Sequence, residues 1–205
     1  FTSCSDESIV HPDSSPKERE TQICMNDYKY VDLILGKQCQ TKMGRGGIRP
    51  LEFKTFSKEM QNAITNYCQA GGNFFVSGAY VASDLWDNRL VKANEEDKKF
   101  AMEVLKYKWR VGQAARNGKV KSVASPFPEI TGSYTYYQDL NPESYVVESP
   151  DALEPAAQGA FTILRYSENN LSAGIAYKGN YKTCVLGFPF EAIRTVTERE
   201  LLMKA

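Results

Sequence analysis

Histidine is almost absent from this chain: 205 residues include one, His11, set between Val10 and Pro12. That scarcity removes the commonest general base and the commonest metal ligand from nearly every site the fold could build. Surplus charge is absent too, with 25 Lys and Arg against 25 Asp and Glu. Bulk attraction to nucleic acid or to anionic lipid needs a basic excess, so no nucleic-acid partner is expected. No apolar run approaches the roughly 20 residues that cross a bilayer, so no membrane insertion is expected either. The 5 cysteines, at 4, 24, 39, 68 and 184, contain no C-x-x-C pair, which argues against a zinc ribbon or a thioredoxin-type motif. Their odd number leaves at least one thiol unpaired. A disulfide among Cys4, Cys24 and Cys39 stays open, while Cys68 and Cys184 lie in apolar patterns that suit buried free thiols. The carboxylates have no ligand spacing, so no metal and no cofactor is implied.

What remains is the composition of a globular domain, 42% apolar and 24% charged, long enough to bury one core. Residues 1–26 are polar and carry Pro12 and Pro16; they read as an irregular segment, with a single domain over 27–205. The chain opens on Phe1 with no charged-then-apolar leader. It ends at Ala205 just after Thr197–Glu200, which reads as a capping box opening a helix. Both ends therefore suggest a piece of a longer protein.

Hydrophobic spacing orders the elements. Val31 to Leu35, closed by Gly36, suits a buried strand. Residues 40–56, with "KMGRGGIRP", read as a glycine-rich surface loop; the stretch lacks the G-x-x-x-x-G-K-[ST] of a phosphate loop. Ser57 is placed to cap a helix whose stripe is Met60, Ala63, Ile64, Tyr67 and Cys68, with Gly71 as its left-handed exit. Asn73 to Val76 is a second strand, and strand–helix–strand makes a parallel unit. Asn94 followed by Glu95, Glu96 and Asp97 opens a helix with its acids at the positive end. "KYKWRV" alternates as a strand, and Asn117-Gly118 marks a tight hairpin turn. A hairpin around Asn169-Asn170 and a strand ending at Gly187 follow. The expected fold class is α/β: a three-layer sandwich with a mixed, largely parallel sheet and helices on both faces.

Ser77 is the first candidate for chemistry, because a turn after a buried strand sits where α/β folds bind ligands. The hydrolase elbow reads G-x-S-x-G, whereas this chain has Phe75-Val76-Ser77-Gly78-Ala79 with neither glycine in place. No base pattern accompanies it, so a structural hydroxyl is the favoured account. The basic run from Lys106 to Lys121, with Tyr107 and Trp109 interleaved, fits an edge strand with aromatics inward and lysines outward. Lys108 and Arg110 nonetheless join Tyr134, Tyr136 and Tyr137 as a possible glycan-contact surface, since clustered tyrosines cannot all face one core.

Three phrases in order, "YKYVDLILGKQ", "GGNFFVSGAYVASDLW" and "VLGFPFEAI", resemble a class I glutamine-amidotransferase-like domain of flavodoxin type. With "ILRYSENNLSAGIAYKGNYKT", the stretch from Asp27 to Ala205 resembles the C-terminal region of secreted bacterial proteins described as xanthan lyases or N-acetylmuramoyl-L-alanine amidases. The resemblance places an oxyanion-supporting turn at Gly36 and the nucleophile elbow at Ser77-Gly78, without its cysteine. The late His-x-Glu pair falls on Pro189 and Glu191, so nucleophile and base are both missing. It implies a catalytically degenerate accessory domain, extracytoplasmic, binding a glycan or other domains of its own longer chain. The alternative it implies is a hydrolase or lyase on a polysaccharide or peptidoglycan-like substrate, using Ser77, Glu191 and Tyr80.

Overall fold

The computed structural model describes residues 24–39, 41–43, 51–86 and 94–204, with the backbone alone at 41–43 and 51–53. The first strand is β1 (Tyr30–Gly36), followed by the short β2 (Thr41–Met43) and β3 (Leu51–Phe53), which pair antiparallel. The expected loop over 40–56 is thus a ribbon at its two ends; residues 44–50, like His11 and Cys4, lie outside the described residues.

Helix α1 (Lys58–Gln69) forms because Ser57 Oγ accepts the Met60 N–H at 3.2 Å, a cap worth about 1 kcal/mol. Its buried side chains Met60, Ile64, Tyr67 and Cys68 share one stripe, and Gly71 at φ +91° turns the chain back. β4 (Asn73–Gly78) then pairs parallel with β1, register Val31 to Phe74 and Leu33 to Val76. Two short helices come next, α2 (Ser83–Trp86) and α3 (Glu95–Lys99), the second capped by Asn94 and running into a π-helical turn, Phe100–Leu105.

The rest of the chain is almost all strand: β5 (Tyr107–Val111), β6 (Lys119–Ser122), β7 (Ser133–Thr135), β8 (Ala152–Pro155), β9 (Ala160–Tyr166), β10 (Ser172–Lys178) and β11 (Lys182–Leu186). Helix α4 (Val196–Met203) closes it. The main sheet has seven strands in the order β1-β4-β11-β10-β9-β6-β7, and β5 and β8 form a separate ribbon. Only β1–β4 and β4–β11 are parallel pairs in that sheet; the others are antiparallel.

This architecture overturns the expected flavodoxin-type sandwich. The molecule is predominantly β, a curled mixed sheet of half-barrel form, with four short helices among the described residues. The strand–helix–strand start is real, but after it tight turns, such as the one with Asn170 at φ +63°, join neighbours antiparallel and need no crossover helix. The resemblance to class I glutamine amidotransferases falls with the sandwich. The expectations of secretion and of a carbohydrate ligand rested on it and lose their support.

Two local expectations shift as well. Gly118 does turn at φ +61°, but the turn does not join β5 to β6: β5 pairs with β8, and β6 with β7 and β9. Tyr107 draws β5 away, being fully buried with its hydroxyl donating to Val81 O at 2.5 Å. The last capping box is Thr195 with Glu198, not Thr197 with Glu200. Glu198 is held there because its Oε1 also accepts the Thr135 N–H at 3.0 Å and hydroxyl at 3.1 Å from β7.

One buried carboxylate ties the pieces together. Asp151 is wholly inaccessible, and its Oδ2 accepts the N–H groups of Ala82 and Ser83, both at 2.8 Å, and the Ser83 hydroxyl at 3.2 Å. Its own N–H donates to Gly187 O at 2.7 Å, and its carbonyl accepts the Tyr166 hydroxyl at 2.7 Å. Oδ1 is unpartnered: the Trp109 indole N–H lies nearby without completing a hydrogen bond. Desolvation, opposed by the three donors, pushes the acid up to about 7 from an ordinary 3.8.

Asp151→Ala leaves two buried amides unpaired and is expected to cost about 2–6 kcal/mol in urea unfolding, from 1–3 per orphaned group; Asp151→Asn, which keeps an acceptor, costs less. Because the folded acid holds its proton more tightly than the unfolded one, its contribution is full below pH 4 and is lost as pH rises through 7. Asp151→Asn should flatten that fall in stability between pH 5 and 8, and an unchanged slope would assign it to other groups.

Candidate functional site

Among the described residues, the strands β1, β4 and β11 are covered on one face and open on the other. Strand alternation sends Val31, Leu33 and Leu35, with Phe74, Val76 and Val185, into the cluster under α1. The opposite face carries Tyr30 and Asp32 on β1, Asn73 and Phe75 on β4, Lys182 and Cys184 on β11, and Ala176 and Lys178 on β10. These residues line a groove of about 710 Å³, whose lining also includes Phe127 and Ile130 and, from α4, Leu202 and Met203. Phe127 meets Phe161 edge-on at 6.5 Å, and Phe75 meets Phe190 at 5.8 Å.

Asp32 is the one carboxylate in an otherwise apolar strand run, and that is the signal that could have marked it in the sequence. Although the residue as a whole is exposed, its carboxyl group is pushed up to about 6, first by desolvation and second by the negative charge of Glu191. Glu191 comes from the 3₁₀ turn Phe190–Ala192 beyond β11. Its Oε1 accepts the Tyr145 hydroxyl, and its Oε2 is buried with no partner. Burial, then the bond to Glu191, raises the Tyr145 hydroxyl far above the usual phenol range.

Gly36 makes this contact possible: at φ +58°, a Cβ there would lie 3.2 Å from Glu191 Oε1 and 3.3 Å from the Tyr145 hydroxyl oxygen. Lys37 pairs with Glu148 at 2.6 Å and lies 5.7 Å over the Tyr145 ring. Tyr80 is half-buried near Lys37 and Glu148, with its hydroxyl toward Ser149, and burial raises it too. Gly36, Tyr80 and Glu191 therefore gather at the carboxyl end of β1 and β4. Tyr145 reaches Glu191 across 46 positions, a contact with no local sequence signal.

Ser77 lies apart from that chemistry. It is fully buried, and its Oγ has no hydrogen-bond partner, so no base touches it. Gly78 serves packing, since a Cβ there would press at 3.0 Å on both Leu35 and Val81. The next amide, Ala79 N–H, donates to Gly36 O at 2.9 Å and is not available to an oxyanion. Desolvation pushes the thiols of Cys68 and Cys184 up to about 12, which keeps both protonated and poorly nucleophilic. Neither forms a disulfide, and nor does Cys24.

The tyrosine cluster is core and not platform. Tyr134, Tyr136 and Tyr137 are all buried, at 0%, 1% and 8% exposure. Tyr134 donates to Thr131 O at 2.8 Å, Tyr136 stacks on Phe188 at 5.0 Å, and Tyr137 donates to Glu143 beneath the Arg194 guanidinium. The bridge from Tyr136 to Ile193 brings a second backbone against this stretch, so more than one of its faces is covered. Lys108 and Arg110 are exposed on the β5–β8 ribbon, Arg110 beside Glu154 at 3.5 Å, and neither lines the groove. Among the described residues no group of three or more His, Cys, Asp or Glu side chains could hold a metal ion. No described helix is long and apolar enough to cross a membrane.

No protein-family model matches the chain, and no curated protein matches it. Among solved structures it is similar to the cold-adapted β-galactosidase from Rahnella sp. R3, at 13% identity and a TM-score of 0.49. That match covers 89% of this chain and 23% of the β-galactosidase, so the chain spans under a quarter of that protein's length. It is also similar to the mmIFT52 N-terminal domain, at 14% identity and a TM-score of 0.43, covering 73% of this chain and 69% of that one. Likeness at this level transfers no activity.

Glu191→Gln removes the neighbouring charge and is expected to lower the Asp32 pKa from about 6 toward the ordinary carboxylate range, read by ¹³C carboxyl NMR titration. An unmoved value would mean that burial alone sets it.

Proposed function

We propose that this is a catalytically silent binding domain that docks a protein partner, another domain of a longer chain or a separate protein, on the open face of its sheet. One observation carries the reading: exposed apolar side chains collect around the groove. Tyr30 is 66% exposed, Ile34 46% and Met203 53%, and Phe161 and Leu201 are exposed beside them. A sheet face left apolar and uncovered is the kind of surface that folds bury against another element. The sealed, unbonded Ser77 hydroxyl and the protonated thiols weigh in the same direction, because an acyl-transfer nucleophile needs access and a base.

The test has two arms on the whole chain. Native protein should brighten 8-anilinonaphthalene-1-sulfonate, and the Ile34→Lys/Met203→Lys double variant should lose most of that signal at an unchanged melting temperature. Ser77→Ala should leave stability equal or slightly raised, since it removes a buried hydroxyl that bonds to nothing. Hydrolysis of any ester, amide or glycoside that Ser77→Ala abolishes would overturn the proposal.

A further inference from the structure

Lys178 and Lys182 face each other directly across the β10–β11 pair, at the mouth of the groove. Both are exposed, and neither enters an ion pair among the described residues. Like charges directly opposite on neighbouring strands are destabilising, so nothing within the described fold accounts for the placement. Lys204 lines the same groove from the end of α4, with only a 3.8 Å contact to Glu200. Against these three stand Glu129 at the rim, which is exposed and in no ion pair among the described residues, and Asp32 on the floor.

Beside Asp32 and Asn73, the lining between them carries an apolar set: Phe75, Cys184, Ala176, Phe127, Ile130 and Leu202. These strands carry α1 on their other face, so among the described residues the groove side of the sheet has no helical layer of its own apart from the edge of α4. We infer that the groove takes an amphipathic helix of a partner protein, its apolar stripe on Phe75, Cys184 and Phe127 and its acidic residues on Lys178 and Lys182. This rests on the docking reading above and adds the shape and charge of what docks. The lysines steer and orient the helix, and the apolar floor supplies the affinity.

Fluorescence anisotropy with two labelled 18-residue peptides tests it. Each has Leu and Phe along one helical face; one carries Glu on the other face and the second carries Lys. At low salt the acidic peptide should bind at least ten-fold more tightly than the basic one, and the gap should close in high salt. Lys178→Glu/Lys182→Glu should invert the preference. Cys184→Trp, which fills the floor, should abolish binding of both; Met203→Lys, at an exposed rim position, serves if that variant does not fold.

Equal binding of the two peptides, still blocked by Cys184→Trp, overturns the acidic-helix inference and leaves the docking face standing. Absence of binding, or binding that neither Cys184→Trp nor Met203→Lys affects, overturns both. A chain that sediments as a dimer, and as a monomer after Cys184→Trp, makes the occupant a second copy and overturns the inference.

Discussion

The carboxylate of Asp151 is the constraint on which the arrangement turns. It satisfies the amides of Ala82 and Ser83 where the chain leaves β4 and starts α2, and its backbone pairs with Gly187 where the chain leaves β11. Two neighbouring strand exits are thereby held by one residue from the start of β8. The approach is so close that a Cβ at position 187 would fall 2.0 Å from the Asp151 carbonyl oxygen, which leaves only glycine there. Burying this acid is costly, as its raised pKa records, and the three donors on Oδ2 offset part of that cost.

With that corner fixed, the sheet is asymmetric. Its helix-side face is packed by α1, α2 and the π-helical turn against β1, β4, β10 and β11. Among the described residues its other face is closed by the 188–193 segment and α4 over the antiparallel half, and left open over the parallel half. The groove is the boundary between the two regimes. Its wall residue Leu202 is buried while its neighbours Leu201 and Met203 are not, so α4 packs by one narrow edge and leaves apolar surface beside the floor.

The polar groups near the groove make up an acidic corner apart from Ser77. The charge of Glu191 adds to burial in raising the Asp32 carboxyl, Tyr145 donates into Glu191, and Lys37 is engaged by Glu148. Nothing in that set touches Ser77, whose hydroxyl is sealed between the sheet and the core above it. The chemistry that a serine after a buried strand suggests depends on access and on a base, and this fold withholds both.

Features set by neighbours along the chain are legible in the amino-acid sequence. The Ser57 cap, the α1 stripe, the Asn94 cap and the turn at Asn169-Asn170 follow from hydrogen bonds and side-chain spacing within a few residues. Strand partnership is not legible there, because β5 reads the same whether it meets β6 or β8, and only the burial of Tyr107 against Val81 decides. The choice between two overlapping capping boxes is likewise made from afar, by Thr135 on Glu198. Three clustered tyrosines read as a surface, yet a second backbone laid against them at Ile193 makes them core. Residue order alone sets the local elements and the scarcity of histidine. Which face of the sheet stays open is settled by tertiary packing, whose long-range free energy no local pattern encodes.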